Sequence, residues 1–267
     1  MRNAFANARY RISKALRYLP LIVWVAFFAV AFGWILLASF STNREIFSNG
    51  LLHSGFHFEN YLNVWQYNNV GRYFINSLLC TGIPCTLIIL ISAPAAYVLA
   101  KKTFFGKKAT FNAFVVGMSV PQVMVVIPLY CWFVRAELVG HLATLLILYT
   151  GMNVPYTVFF LTSFFTTVPS SLAEAAMIDG CTETKALWKV MIPLASPGII
   201  TVTIFNFMVI WNEYFMALIF ANGNDEIRTL SMGLQNIITA MTYTGDWAGL
   251  FAAVIMVLLP TLVLYLL

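Results

Sequence analysis

The side chains able to do chemistry in this sequence are few, and most stand inside apolar runs. Glu213 lies among Trp211, Asn212 and Tyr214, seven residues after Asn206. A carboxylate is costly in hydrocarbon and ordinarily faces a cavity or a partner, which makes Glu213 a functional candidate. Seven residues is about two helical turns, so Asn206 and Glu213 share one face of an unbroken helix. Phe207, Trp211 and Tyr214 then share the neighbouring face. Aromatic rings beside amides suit a sugar, which presents apolar C–H faces and a rim of hydroxyls. The plainer alternatives are that Glu213 lies near an interface or meets a partner subunit, and that the rings are packing or interfacial-belt residues. Gln122 and Asn153 stand in two further apolar runs, where amides either line a path or hydrogen-bond helices together. Gly106-Lys107-Lys108 lacks the earlier glycine and the following Ser or Thr of a phosphate loop, and neither HExxH nor GxSxG occurs. The chain therefore offers no recognisable means of hydrolysing ATP. No metal or cofactor is expected on it.

The elements that position these residues follow from composition. Apolar residues make up 61% of the 267 positions and charged residues 9%, against roughly 25% charged in soluble domains. The expected fold is an all-α integral membrane protein with six transmembrane helices, over 19–40, 73–100, 111–134, 142–167, 199–220 and 248–267. Residues 1–17 form a basic segment with Arg2, Arg9, Arg11, Lys14 and Arg17. The run after it is too long for a signal-peptide core, which makes it a retained first span of a six-span transmembrane region over 18–267. Residues 41–72 and 222–247 read as polar loops, the second partly folded back or lying against the membrane. Pro84, Pro94, Pro121, Pro128, Pro155 and Pro260 fall within the spans and kink them. Cys80, Cys85, Cys131 and Cys181 have no CxxC pairing, so no disulfide framework is expected. Of the 15 lysines and arginines, the six-span arrangement places 11 on the side of residues 1–17, the 101–108 loop and the 169–198 loop. Only Arg44, Arg72, Arg135 and Arg228 fall opposite. That bias puts the amino terminus and the 169–198 loop in the cytoplasm. The net charge of +5 belongs to this loop asymmetry, not to nucleic-acid binding.

The most structured loop is 169–198, SSLAEAAMIDGCTETKALWKVMIPLASPG from Ser170. Ser171 and Glu174 have the spacing of a capping box. Ala173, Ala175 and Ala176 favour helix and leave a smooth face. Gly180 ends that helix. Thr182 caps a second one, with Leu187, Val190 and Met191 on one face and Lys185 and Lys189 as a charged stripe. Pro193 and Pro197 close it. Glu174-Ala175-Ala176, Gly180, Val190 and Ile192-Pro193 together resemble the "EAA" coupling loop of ABC-importer permease subunits. EAAMIDG followed by MIPLASPGI is most similar to the carbohydrate branch, the maltose-type, MalG-like subunits. Trp211-Asn212 agrees with it, and the resemblance covers nearly the whole chain. Val190 and Ile192 depart mildly from the usual isoleucine and leucine, and both remain apolar.

The resemblance implies a bacterial cell-membrane protein that forms half of a translocation pathway. Its expected partners are a second homologous permease, two ATPase subunits carrying the ATP and Mg, an extracytoplasmic solute-binding protein met by loop 223–247, and the lipid bilayer. Glu174, Asp179 and Gly180 would shape a docking elbow. Ala175 and Ala176 would pack closely in the ATPase cleft, Met177, Leu187 and Met191 would supply apolar contact, and Pro193 completes the motif. The cargo implied is a carbohydrate, an oligosaccharide by expectation. Relatives of this kind usually continue into a short cytoplasmic tail, whereas this sequence stops at Leu267 while still hydrophobic. Three other readings remain: an ABC permease for a non-sugar solute, a proton-coupled secondary transporter using Glu213, and a membrane scaffold. The second calls for inverted internal repeats, of which no convincing trace is visible.

Overall fold

Hydrocarbon offers the backbone no hydrogen-bond partner, so the long apolar runs of this chain fold as helices that bond internally. The computed structural model describes residues 2–48, 50–67, 69–221 and 223–266. Side chains of residues 1–16, which include Arg2, Arg9, Arg11 and Lys14 of the basic segment, lie outside the described residues, as do Asn222 and Leu267. The helices in chain order are α1 (Arg2–Ser39), α2 (Asn43–Phe47), α3 (Glu59–Tyr67), α4 (Val70–Lys101), α5 (Lys107–Ser119), α6 (Gln122–Arg135), α7 (Leu142–Thr167), α8 (Ser171–Ile178), α9 (Glu183–Ala186), α10 (Ile192–Leu194), α11 (Ser196–Trp211), α12 (Phe215–Ala221), α13 (Leu230–Thr244) and α14 (Trp247–Leu266). Among the described residues there is no strand.

Among the described residues, four helices are long and apolar enough to cross a membrane: Arg17–Ser39, Val70–Lys101, Leu142–Thr167 and Trp247–Leu266. The expected spans 111–134 and 199–220 are not straight. α5 and α6 meet at 96°, and Glu183–Leu194 meets Ser196–Trp211 at 74°, so the count is four, or up to six if each bent pair is one span. The α5–α6 break has a local cause. Pro121 lacks an N–H and crowds the residue before it, and Val120 is accordingly extended at φ −75°, ψ 121°. Pro84, Pro94, Pro128, Pro155 and Pro260 are instead carried inside helices.

The chain divides into two units, Met1–Asn68 with Asn236–Leu259, and Asn69–Gln235 with Pro260–Leu267. In the first, Trp34 of α1 meets Phe251 of α14 edge to face at 5.2 Å. The Asn43 amide accepts from the Ala248 N–H at 2.8 Å and donates to Asp246 at 3.2 Å. The stretch 41–72, read as a loop, contains α2 and α3. Thr42 and Glu45 form a reciprocal capping box on α2. Glu45 also accepts from the Ser54 N–H at 2.6 Å and hydroxyl at 2.7 Å. His57 bridges the Ser54 hydroxyl (2.8 Å) and the Glu59 carboxylate (2.5 Å). The Ser54 proton goes to Glu45, so this Ser-His-Glu chain is a loop clamp and not a nucleophile relay. These donors, the Thr42 N–H first and then Ser54, pull the Glu45 carboxyl down to about 2.

In the second unit α4 lies along α7. Ala93 and Ala96 are fully buried there and let the two backbones approach. Tyr97 meets Phe165 edge to face at 5.9 Å. α11 closes on the same site through Gly198, where an added Cβ would stand 2.5 Å from the Phe164 ring. In α13, which was read as part of a loop, Leu230 and Met232 are buried. Gly233 there faces the Tyr73 ring of α4. Within this unit the segment therefore folds back as expected, but as a helix.

Two outcomes follow. Gly198→Ala should lower the detergent-solubilised Tm by several degrees, consistent with overpacking of ~1–3 kcal/mol, while Gly151→Ala, whose Cβ meets nothing within 4 Å, should not. The depressed Glu45 carboxyl contributes stability above the ordinary carboxylate range that is lost only as pH falls towards 2. Limited proteolysis between residues 42 and 58 should thus stay slow at pH 4, and Glu45→Gln should accelerate it at neutral pH.

Candidate functional site

Segment 169–198 is a two-helix elbow held to the end of α4. Its first helix ends as predicted. Gly180 takes φ +86°, its N–H bonds the Met177 carbonyl, and the Cys181 N–H bonds the Ala176 carbonyl, the paired closure that glycine allows. The start differs. The Ser171–Glu174 capping box does not form. Ser170 is the residue before the helix, is itself helical at φ −67°, ψ −25°, and makes no side-chain cap. Ser171 thus lies inside the first turn, and the Ala173 and Glu174 N–H groups bond the Ser170 carbonyl. Thr182 does cap α9, accepting from the Lys185 N–H at 3.4 Å. Lys101 donates to the Val168 carbonyl, and Lys102 pairs with Glu183. Hydrogen bonding to the Glu183 carboxylate holds the Lys102 ammonium above the ordinary lysine range.

Between α9 and α10 the chain makes one π-helical turn, Leu187–Met191. Leu187 (8% exposed) and Met191 (0%) turn inward, into the cluster of Tyr97, Leu161, Phe165 and Val202. They were expected to supply apolar contact to a partner. They instead pin the elbow to the chain's own core. Glu174, Ala175, Asp179 and Gly180 are exposed, and Ala176 is half-buried. Met177 is exposed as expected, together with Leu172, Trp188, Leu194 and Ile178, the last at 86%. Ile178 was missed, although it lies about 140° around the helix from the buried Ala173. The run Glu183–Leu194 ends between Pro193 and Pro197, as expected: Pro193 lies in its last turn, and Pro197 in the first turn of α11, where a missing N–H removes no helical bond.

The intramembrane candidates separate into two groups. Gln122, Asn153 and Asn206 converge on one cavity of about 410 Å³, with Pro155, Tyr156 and Phe205 in its wall. Asn206 donates to the Thr157 hydroxyl at 2.9 Å, which donates to the Asn153 carbonyl at 2.8 Å. Asn153 donates to the Tyr149 carbonyl at 2.8 Å. Part of the amide set therefore ties α7 to α11, and Gln122 remains exposed at the mouth.

Trp211, Asn212 and Tyr214 do not line that cavity, whereas Glu213 shares a small adjoining pocket with Gln122, Tyr149 and Asn153. α11 ends at Trp211, so Glu213 shares no helical face with Asn206, and Tyr214 does not extend the Phe207–Trp211 stripe. Trp211 is 1% exposed, stacked on Phe207 at 5.4 Å and edge-on to Phe74 at 5.8 Å. It is part of the core. Asn212 folds its amide onto the Met208 carbonyl at 2.8 Å. Glu213 accepts from the N–H groups of Met216 (2.7 Å) and Ala217 (3.0 Å) and from the Tyr149 hydroxyl (2.8 Å). Its carboxylate stands in for the missing turn of helix ahead of α12. Tyr214 is half-buried against the surrounding core.

The sequence profile of the family described as "Binding-protein-dependent transport system inner membrane component" matches residues 88–267. The chain belongs to that family. This permease is 33% identical over 252 residues to the diacetylchitobiose uptake system permease protein NgcG of Streptomyces coelicolor, covering 94% of this chain and 83% of that protein. It is 30% identical over 264 residues to the melibiose/raffinose/stachyose import permease protein MelC of Bacillus subtilis, covering 97% and 93%. Its fold matches a chain from the crystal structure of a bacterial ABC transporter involved in the import of the acidic polysaccharide alginate, with TM-score 0.82 at 21% identity over 96% of this chain and 94% of that one. The protein is thus a multi-pass membrane permease of an ABC importer and not itself an enzyme.

The permease's Glu213 supplies the next test. A cap predicts that Glu213→Gln, which keeps one acceptor oxygen, sustains uptake, and that Glu213→Ala lowers stability by about 1–2 kcal/mol. A proton relay predicts that both abolish uptake. Uptake assays with thermal unfolding of both variants separate the two.

Proposed function

We propose that this permease carries a carbohydrate, an oligosaccharide in size, and forms half of a pathway completed by a second permease. The observation that carries the reading is the cavity where Gln122, Asn153 and Asn206 meet Tyr156 and Phe205. Amides and rings are the groups that complement hydroxyls and C–H faces. The uptake of diacetylchitobiose by one relative and of melibiose, raffinose and stachyose by another supports the cargo class. Two ATPase subunits supply ATP and Mg, and an extracytoplasmic binding protein delivers the solute. The amino terminus and the 169–198 elbow face the cytoplasm, a reading supported by Lys101, Lys102, Lys107, Lys108, Lys185 and Lys189, which a six-span arrangement puts on one side.

In this reading the exposed apolar residues of the elbow, Ile178 above all, seat in the ATPase. Closure of the nucleotide-bound dimer pushes the elbow. The buried Leu187 and Met191 pass that displacement to α4 and α7, and the bundle halves alternate in access. Glu174, Asp179 and Gly180 hold the shape of the elbow, and Ala175 and Ala176 permit close approach.

The experiment is a gentle pull-down from native membranes with mass spectrometry, followed by a screen of the recovered binding protein against sugars. Recovery of the chain alone, under conditions that preserve other membrane complexes, would overturn the assembly. A recovered binding protein that takes only amino acids or phosphate would overturn the cargo. Ile178→Asp should lower ATPase recovery on the order of tenfold, equivalent to ~1.4 kcal/mol, with normal insertion. Gly180→Pro and Glu174→Lys should leave the complex able to hydrolyse ATP without uptake. Wild-type coupling in all three variants would remove the elbow from the mechanism.

A further inference from the structure

We propose that the turn joining α4 to α5 holds an anionic phospholipid, with its phosphate at Lys107 and Lys108 and an acyl chain in the groove beneath. The turn reads Lys-Lys-Thr-Phe-Phe-Gly-Lys-Lys over 101–108. It stands where α4, a candidate span ending at Lys101, gives way to the bent pair that begins at Lys107. Those two apolar helices leave hydrocarbon together, so the turn lies at the boundary between lipid and water.

A cavity of about 1040 Å³ opens at this turn, between Leu99, Phe104, Phe111 and Thr166, with Lys107 and Lys108 on its wall. Phe105 is fully exposed and Phe104 exposed by 42%. Aromatic rings in such a place belong at the headgroup level. The four lysines are not equivalent. Lys101 is committed to the Val168 carbonyl and Lys102 to Glu183. Lys107 donates one proton to the Lys102 carbonyl at 2.9 Å, which leaves its other protons available. Among the described residues no carboxylate forms an ion pair with Lys107 or Lys108. Two uncompensated ammonium groups above an apolar groove match a phosphate joined to hydrocarbon. An acidic protein segment would match the charge. The groove's other walls, however, come from α4 and α7, both candidate spans, and that location favours lipid.

The test is native mass spectrometry of the intact complex purified from its own membranes, offered phosphatidylglycerol and phosphatidylcholine with the same acyl chains. The wild type should retain phosphatidylglycerol about tenfold over phosphatidylcholine, because each lysine at an anionic surface contributes several-fold. Lys107→Gln/Lys108→Gln should bring the ratio to within about twofold. Thr166→Trp, which fills the groove and leaves every charge in place, should lower total retention of phosphatidylglycerol by a similar factor. Lys108→Gln alone serves if the double variant fails to assemble. Equal retention of the two lipids by the wild type would overturn the proposal. So would an undiminished preference in the lysine variants, or displacement of the lipid by millimolar inorganic phosphate. Loss of the ATPase subunit from the lysine variants with lipid preference intact would make the groove a protein-docking surface instead.

Discussion

A backbone group in hydrocarbon has no water to bond, and that constraint governs where this permease can interrupt a helix. The break after Trp211 frees N–H groups at the start of α12. The Glu213 carboxylate takes two of them and the Tyr149 hydroxyl besides. The costly charge is thereby spread over three donors, two of them at the positive end of a helix. The break at Pro121 falls where the ring has already removed a donor. The 74° turn into α11 places Pro197 in a first turn, again where no helical N–H is lost. Irregular backbone occurs here with a chemical substitute at hand.

The elbow and the cavity depend on the same packing. α4 and α7 approach through fully buried alanines, and their common core receives Leu187 and Met191. Lys101 and Lys102 fasten the elbow from the other side. An element anchored inward by two apolar side chains and presenting Ile178 outward is suited to transmitting displacement, since a packed core does not yield continuously. The cavity, where α11 meets α7, borrows its amides from the bonds that join those helices. A shift of α11 against α7 would change which polar groups the cavity presents.

Much of this protein was legible in the sequence. The low charge and long apolar runs required membrane helices, and residues 142–167 were bounded correctly because periodic, uncharged sequence admits little else. Gly180 and Thr182 declared the corner of the elbow through local chemistry: a left-handed closure and a hydroxyl cap each need only neighbouring backbone. The motif around Glu174-Ala175-Ala176 carried the family. The direction in which side chains face was not legible. Leu187 and Met191 were correctly placed on one face, but a face has no sign until its neighbour is known, and that neighbour is the chain's own α4 and α7. Ser171 has the right type for a cap and stands one residue inside the helix.

The polar residues of the apolar runs show the same division. Polarity within apolar runs picked out Gln122, Asn153 and Asn206, which converge from three helices. It also picked out Glu213, whose carboxylate caps the helix break, and Trp211, Asn212 and Tyr214, which pack or bond beside it. Both groups look alike along the chain, because a polar side chain in a span must find a partner whether that partner is a solute or the backbone. Sequence fixes that such a partner is required. Only tertiary packing, which ends α11 at Trp211 and brings Tyr149 to Glu213, decides which partner it is.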